Sequence, residues 1–499
     1  MSSKMSGTMW KQFFQRWAGN GLSLQGQIRQ MLVSAILDGQ LPLELPIPSS
    51  REMATQLDVA RNTVVIAYHQ LVDEGYLVSR ERKGYFVNPN ILAGRVAPPE
   101  TQAEAVGHSP EWSRRFRFRP TLQRNIRKRA DWQRFPYPFV YGQFDAGLFP
   151  TADWRECCMK TLSVLEISEW AQDMILRDDD SLVQQIRTRV LPRRGVWAND
   201  DEIVITVGTQ QALYLLADLL VSADTPVGME NPGYPDARNI FSSRSERIVD
   251  LEVDEGGLVV DAALGGCDYV YVTPSHQCPT TVTMPLERRE ALLRMADEAD
   301  FILIEDDYES ENRAEGEAIP ALKSLDRSGR VIYIGSLSKT LAPGVRLGYV
   351  VGPAEVIREL RGVRRLNLRH PTAYMQRVFA LFLSLGHYDA LLRRLSHAHQ
   401  ERARVLAAEL EARLPELRPV PISGGSSCWV EGPAWLDAEA LALAAESHGV
   451  LIEPGSVFFS AATPTRNCLR LGFSAIATER IGEGVERLAA ALRELAPRG

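Results

Sequence analysis

The chain has little that would hold it together covalently or tie it to a membrane. Its 499 residues include six cysteines, Cys157, Cys158, Cys267, Cys278, Cys428 and Cys468, and no C-x-x-C spacing. No disulfide framework is set up, and a reducing compartment is the simple reading. No run of 18 apolar residues occurs, and the first residues, with Lys4 and Lys11, lack an apolar signal core. Neither a membrane span nor a secretory leader is expected, and the chain is expected in the cytoplasm. His397 and His399 have no cysteine or carboxylate at ligand spacing. They read as surface or packing residues, and no metal site is expected. What is plentiful is apolar residue, 45% of the chain, enough for a sizeable core. The length suggests two or three domains. The net charge of −7 hides a split: residues 1–134 hold 19 basic and 11 acidic side chains, a balance of +8, and the remainder holds 37 and 52, a balance of −15. A basic head on an acidic body is the asymmetry expected when one part meets a polyanion.

The chain is organised around Val331 to Val350. Val331 to Ile334 reads as a buried strand that Gly335 breaks, followed by Ser336-Leu337-Ser338-Lys339, Pro343, Gly344 and Arg346. The plain reading of one such lysine is a surface residue on a loop. The S-x-x-K pattern of penicillin-binding enzymes also fits, but its S-D-N and K-T-G companions are missing. A third reading is a desolvated, nucleophilic amine holding pyridoxal phosphate. That reading requires partners, and they are present. Phe301 to Ile304 is a second buried strand, running into Glu305-Asp306-Asp307-Tyr308. Alternation puts Asp306 and Tyr308 on one face, where Asp306 would meet a pyridine nitrogen and Tyr308 the ring hydroxyl. Ile203 to Val207 leads into Gly208-Thr209-Gln210-Gln211-Ala212-Leu213, a helix start fit to cradle phosphate. Glu230-Asn231-Pro232-Gly233-Tyr234-Pro235 offers an aromatic ring on a turn.

With S-L-S-K and its downstream R-L-G, E-D-D-Y, G-T-Q-Q-A-L, E-N-P-G-Y-P and N-C-L-R-L-G-F in this order, residues from about 140 to 499 resemble a fold-type I pyridoxal-phosphate-dependent aminotransferase. The resemblance implies Lys339 as the cofactor lysine, Asp306 at the ring nitrogen, Tyr308 at the ring oxygen and Tyr234 beside the ring. It implies Thr209, Gln210, Ser336, Ser338 and Arg346 around the phosphate, and Arg470 on the α-carboxylate of an amino-acid-like ligand.

The basic part has its own pattern. Leu24, Ile28, Met31, Leu32, Ala35 and Ile36 make a helical face ending near Gly39. Ser49 or Ser50 caps a second helix, Arg51 to Leu57. Arg61-Asn62-Thr63 opens a third, with Val64, Val65, Tyr68, Leu71 and Val72 inward and Gly75 at its end. Leu77 to Ser79, a basic tip from Arg80 to Gly84, and Tyr85 to Val87 read as a hairpin. Three helices and a basic hairpin make a winged helix-turn-helix, whose third helix reads the major groove. Pro48-Ser49-Ser50-Arg51-Glu52-Met53-Ala54 and Val-Ala-Arg-Asn-Thr-Val resemble the GntR class of bacterial regulators. The DNA-contact candidates are Arg51, Arg61, Asn62, Thr63 and Lys83, with Gly84 letting the wing tip come close. Before this part, Trp10, Phe13, Phe14 and Trp17 form an aromatic stripe suited to docking on another part of the chain.

A GntR-type head joined to an aminotransferase-like body resembles the MocR family of transcriptional regulators. The resemblance implies a multi-domain chain: a winged helix domain at 22–88, a basic and partly disordered linker at 89–134, and an α/β body with a small C-terminal α+β part at 135–499. It implies a homodimer on double-stranded operator DNA that senses a small amino-acid-like effector through an external aldimine at Lys339, with little or no transaminase turnover. A working aminotransferase with a fused head is the alternative. In the linker, Arg114, Arg115, Arg117, Arg119, Arg124, Arg127, Lys128, Arg129 and Arg134 interleave with Phe116, Phe118 and Trp132, to clamp DNA or to pack on the acidic body. Two departures from the aminotransferase pattern stand out. Cys278 occupies the place of the usual ring-binding Asn in Thr273-Pro274-Ser275-His276-Gln277-Cys278-Pro279-Thr280-Thr281, and Thr281 that of a Gly. Arg177-Asp178-Asp179-Asp180 replaces the usual Tyr-Gly segment, leaving Tyr141 as a substitute tyrosine to cross the dimer.

Overall fold

The computed structural model describes residues 7–16, 21–92, 110–309, 319–422 and 424–496. It divides into two units, Met1–Arg115 and Phe116–Gly499.

In the first unit, α1 (Gly7–Gln15), α2 (Leu24–Leu37), α3 (Ser50–Leu57) and α4 (Arg61–Asp73) precede the hairpin of β1 (Leu77–Arg80) and β2 (Gly84–Val87). Ser49 is the residue that caps α3: its hydroxyl accepts from the Glu52 N–H, and the Glu52 carboxylate accepts from the Ser49 N–H. Ile28, Met31, Leu32 and Ile36 of α2 pack with Met53, Leu57, Val64, Tyr68 and Leu71. The Tyr68 hydroxyl donates to the Pro48 carbonyl at 2.8 Å, which ties α4 to the lead-in of α3. β1 and β2 are antiparallel, Leu77 opposite Val87 and Arg80 opposite Gly84. Two details differ from expectation, the face of α2 and that of α4, while the aromatic stripe docks on another part of the chain as expected. Leu24 lies in the first turn of α2 and is exposed. Ala67 takes the inward position, and Val65 and Val72 are only half-buried. The aromatic stripe packs within the head, where Trp10 is buried with Phe13 and Phe14 beside it. Trp17 lies outside the described residues.

The second unit carries the sheets. In chain order its strands are β3 (Tyr137–Pro138), β4 (Ile203–Thr206), β5 (Val227–Asn231), β6 (Ile248–Asp254), β7 (Gly257–Leu258), β8 (Tyr269–Val272), β9 (Ile302–Asp307), β10 (Val331–Ser336), β11 (Gly348–Val351), β12 (Arg418–Pro419), β13 (Ser427–Glu431), β14 (Val450–Leu451), β15 (Glu453–Pro454) and β16 (Cys468–Gly472). Eight form one sheet in the order β4-β11-β10-β9-β8-β5-β6-β7. Its centre, from β10 to β6, is parallel. β11 is antiparallel to both neighbours, which makes the sheet mixed. Helices Gly208–Leu220 and Leu286–Ala299 cross between strands as the apolar pattern requires. The C-terminal ends of β4, β5, β8, β9 and β10 therefore share one edge, where open α/β sheets bind ligands.

The smaller sheet runs β12-β13-β16-β15, under helices His387–Arg413, Ala438–Ser447 and Thr478–Leu495. An element from much earlier in the chain joins this part. β3 pairs with β14, and Phe139 continues by donating its N–H to Leu451 and accepting from Gly472. That pairing carries Tyr141 and Gly142 to the ligand edge.

Gly335 does not break its strand. β10 continues to Ser336, and β9 begins at Ile302, after Phe301. Gly335 lies opposite Tyr349 in the antiparallel ladder. A Cβ there would lie 2.2 Å from the tyrosine ring, so glycine is present for the close approach of that ring. Gly335→Ala should destabilise the protein by about 1–3 kcal/mol through overpacking, measured by urea unfolding, and the additional Tyr349→Ala should recover part of the loss.

Candidate functional site

The ten body residues singled out from sequence, Thr209, Gln210, Tyr234, Asp306, Tyr308, Ser336, Ser338, Lys339, Arg346 and Arg470, all line one cavity of about 520 Å³. Gly208 starts the helix Gly208–Leu220 with φ +73°, and a Cβ there would lie 3.1 Å from the Arg346 guanidinium. Arg346 donates to the Val207 carbonyl. A helix N-terminus with a cation brought close by the missing side chain of Gly208 makes a seat for phosphate. The two serines divide the work. The Ser338 hydroxyl is engaged by the backbone of Leu347 and pins the turn after Arg346. Ser336 accepts from the Lys339 N–H at 3.3 Å.

Asp306 lines the same cavity. Its Oδ2 accepts from the Tyr271 hydroxyl at 2.8 Å, and its Oδ1 has no hydrogen-bond partner among the described residues. Burial pushes its carboxyl up to about 7. Lys339 lines it too, and its amine loses water and drops to about 8, with Glu309 opposing the shift. Its Nζ lies 3.9 Å from the centre of the Tyr141 ring. Arg470, 2% exposed, donates from Nε to Glu453 at 2.9 Å, while its Nη2 has no partner among the described residues. Its guanidinium stacks 4.0 Å from the Tyr141 ring centre. The Tyr234 hydroxyl lies 3.0 Å from Gln210 Oε1 and 3.2 Å from Asp236 Oδ2, so Gln210 and Tyr234 hold each other.

These residues fit pyridoxal phosphate. The orphaned, buried Oδ1 suits a protonated ring nitrogen, the Gly208–Arg346 cradle suits the phosphate, and the lysine lines the same cavity. The departures take definite form. The Cys278 thiol is buried and raised to about 12, so it stays neutral and gives only a weak hydrogen bond. Thr281 keeps a left-handed backbone at φ +67°, a conformation that favours glycine. Asp178 pairs with the fully buried Arg364 and accepts from the Ile205 N–H, and Asp179 caps the helix Asp180–Gln185. This acidic segment braces β4. Tyr141 lies in the cavity of its own chain, against Lys339 and Arg470, with its hydroxyl unpartnered among the described residues.

Lys128 and Ile126 also line the cavity, and Lys128 donates to the Tyr141 carbonyl at 2.9 Å. Arg124 donates to the carbonyls of Ser456 and Phe459, and Arg129 pairs with Glu446. This part of the basic segment packs on the body, while Arg114, Arg115 and Arg117 are exposed. Nothing local in the sequence marks Lys128 or Tyr271 as site residues, because both depend on long-range packing. In the head, Arg51, Arg61, Asn62, Lys83 and Gly84 are exposed and Thr63 is half-buried. Arg61, Asn62 and Thr63 form the first turn of α4. The Lys83 N–H closes the wing tip onto Arg80, and Gly84 has φ +99°.

Residues 180–488 match the family "Aminotransferase class I and II", and residues 24–87 match "Bacterial regulatory proteins, gntR family". The chain is 42% identical over 481 residues to the HTH-type transcriptional regulator TauR of Rhodobacter capsulatus, covering 96% of this chain and 99% of that protein. It is 30% identical to the probable rhizopine catabolism regulatory protein MocR of Rhizobium meliloti, covering 95% and 94%. Among solved structures, LysN, the alpha-aminoadipate aminotransferase of Thermus thermophilus complexed with N-(5'-phosphopyridoxyl)-L-leucine, superposes with a TM-score of 0.70 at 29% identity. That match covers 77% of this chain and 99% of the other.

The raised Asp306 carboxyl has a consequence for stability. The folded, cofactor-free protein holds a proton that the unfolded chain releases above about pH 4. The stability this contributes is present at low pH and is lost as pH rises through about 7. Asp306→Asn should remove the loss. Between pH 4 and 8 the variant should gain on the order of 2–4 kcal/mol relative to wild type in urea unfolding.

Proposed function

We propose that the chain, which belongs to the MocR-type family of GntR regulators, reads a small amine bearing an acid group in its body and converts occupancy into operator binding by its head. It is a transcriptional regulator with an aminotransferase-like domain, and its cofactor is pyridoxal phosphate. A GntR head binds DNA, so the protein works where the DNA is, and no described helix is long and apolar enough to cross a membrane. The observation that carries the sensing reading is the pairing, in one cavity, of the desolvated Lys339 amine with the unpartnered Nη2 of Arg470.

Pyridoxal phosphate supplies an electrophilic carbon and an electron-accepting ring. Lys339 would hold it, and an incoming amine would compete with the lysine for that carbon. Arg470, with Glu453 fixing its Nε, leaves Nη2 free to bind a carboxylate or sulfonate, a planar fork that lysine does not reproduce. Cys278, as a neutral thiol, holds the ring less firmly than an amide, which favours retention of the effector over turnover. Ligand that binds one body conformation better shifts the balance of states that the heads experience. The body surface also supports a dimer. Val164, Leu165, Trp197 and Leu366 are 84%, 81%, 77% and 88% exposed, and a second copy would cover such apolar side chains. Two heads on one dimer gain from effective concentration and call for two half-sites.

Borohydride reduction should fix the cofactor on the Lys339 peptide, and Lys339→Ala should lose that link. Spectral titration with candidate amino acids and amino-sulfonates should show a long-lived change that Arg470→Lys weakens while operator binding persists. Consumption of amino acid and keto acid at about 1–10³ s⁻¹ would instead establish the aminotransferase alternative, which the intact Lys339, Asp306 and Tyr308 set keeps in play. For the head, roughly five phosphate contacts give a log–log salt slope of about −4 to −5, and Arg61→Ala should cost about 1–3 kcal/mol and relax selectivity at one base.

A further inference from the structure

Lys339 has a second neighbourhood. Besides the large cavity, it lines a smaller one of about 40 Å³, room for a water molecule or an ammonium group. Glu309, His399, Ser426 and Ser474 line the same space, with Asp145. Glu309 directly follows Tyr308 in the turn after β9, Tyr308 lining the large cavity and Glu309 the small one.

Glu309 is 7% exposed. The Ser426 hydroxyl donates to its Oε1, and Oε2 has no hydrogen-bond partner among the described residues. His276 Nε2, also without a hydrogen bond, stands 3.5 Å from Oε2. Burial pushes His276 below its ordinary value and His399 to about 4, so neither ring carries charge at neutral pH. Asp145 is paired with Arg402, which also donates to the Ser474 carbonyl. On its other side Lys339 faces the cations Lys128 and Arg470 and the neutral Cys278 thiol. A buried carboxylate with one oxygen unmet calls for a cation. Lys339 is the lysine that lines the same space, with its Nζ now against Tyr141 of the large cavity, and Glu309 is the group that most favours its charged form against the loss of water.

We propose that Glu309 is the partner of Lys339 whenever that amine is free, the ammonium turning from the large cavity into the small one to pair with the carboxylate. Its functional meaning rests on the reading of Lys339 as the exchangeable cofactor lysine. In the exchange the effector nitrogen would form its bond to the cofactor as that of Nζ breaks, and the protons given up by the effector ammonium would all end on Nζ, so that Lys339 leaves as an ammonium. Glu309 holds the resulting ammonium away from the effector, where it is not a base. The effector is then kept and not converted, which is what a sensor needs. Glu309 is a positioning residue that acts through Lys339.

The test uses cofactor-free protein, so that it does not depend on loading. Competitive labelling with acetic anhydride against pH, mapped on the Lys339 peptide, reads the lysine's proton affinity. Glu309→Gln should lower the Lys339 pKa by about one unit or more, and Glu309→Asp should restore most of it. In thermal unfolding, Lys339→Met should lower Tm by leaving the carboxylate alone, and adding Glu309→Gln to that variant should recover it. An unchanged Lys339 pKa in folded Glu309→Gln, or strictly additive effects on Tm, overturns the pairing. If Glu309→Gln alone does not fold, the double variant decides: restored folding supports the pairing and failure to restore it overturns it. Borohydride mapping of the loaded protein judges the cofactor role of Lys339 separately, so the two readings fail on different measurements.

Discussion

Four acidic side chains follow one another closely at the end of β9, and each has to be buried. An unpaired buried carboxylate costs several kcal/mol, so the arrangement stands only because alternate residues find different partners. Glu305 accepts from the Leu322 and Lys323 N–H groups. Asp307, on the same face, takes Arg194 and the Tyr333 hydroxyl on Oδ2 and leaves Oδ1 without a hydrogen-bond partner among the described residues. Asp306, on the opposite face, has only Tyr271 and one empty oxygen. Glu309 has Ser426 and one empty oxygen. Asp306, Asp307 and Glu309 thus each keep one oxygen without a hydrogen-bond partner among the described residues, and of these Asp306 lines the large cavity and Glu309 the small one.

The rest of the body holds that strand end in place. The parallel pairing of β8, β9 and β10 brings Tyr271, Asp306 and Lys339 to one edge. The buried pair Asp178–Arg364 and the Asp178 contact to Ile205 anchor the neighbouring edge, where Gly208 and Arg346 meet. Glu230 braces the loop after β8 by accepting from Thr273 and Gln277. Buried ion pairs and backbone hydrogen bonds thus hold several of the segments that carry site residues.

The segment between head and body contributes to the same cavity. Lys128 and Ile126 stand in its wall and Arg124 and Arg129 fasten their flanks to the body. The basic excess of residues 1–134 is shared between these body contacts and the exposed arginines that precede them.

Much of this was legible in the sequence because the signals are local. Buried apolar runs followed at once by Glu305-Asp306-Asp307-Tyr308, by Gly208-Thr209 or by Ser336 to Lys339 place polar residues at strand ends, and a strand's period of two sorts their faces. The capping pair Ser49 and Glu52 and the basic tip at Lys83 and Gly84 are equally local. What only the tertiary structure decided depends on residues far apart in the chain. Gly335 reads locally as a strand end, but Tyr349 on the inserted antiparallel β11 needs the space of its missing side chain. Tyr141 enters the site because β3 pairs with β14, and Lys128 because its segment folds back on the body. Asp178 and Asp179 read as a missing tyrosine and became a brace for β4. The small cavity behind Lys339 exists only where Glu309, His399 and Ser426 meet, three positions that no local rule of spacing connects.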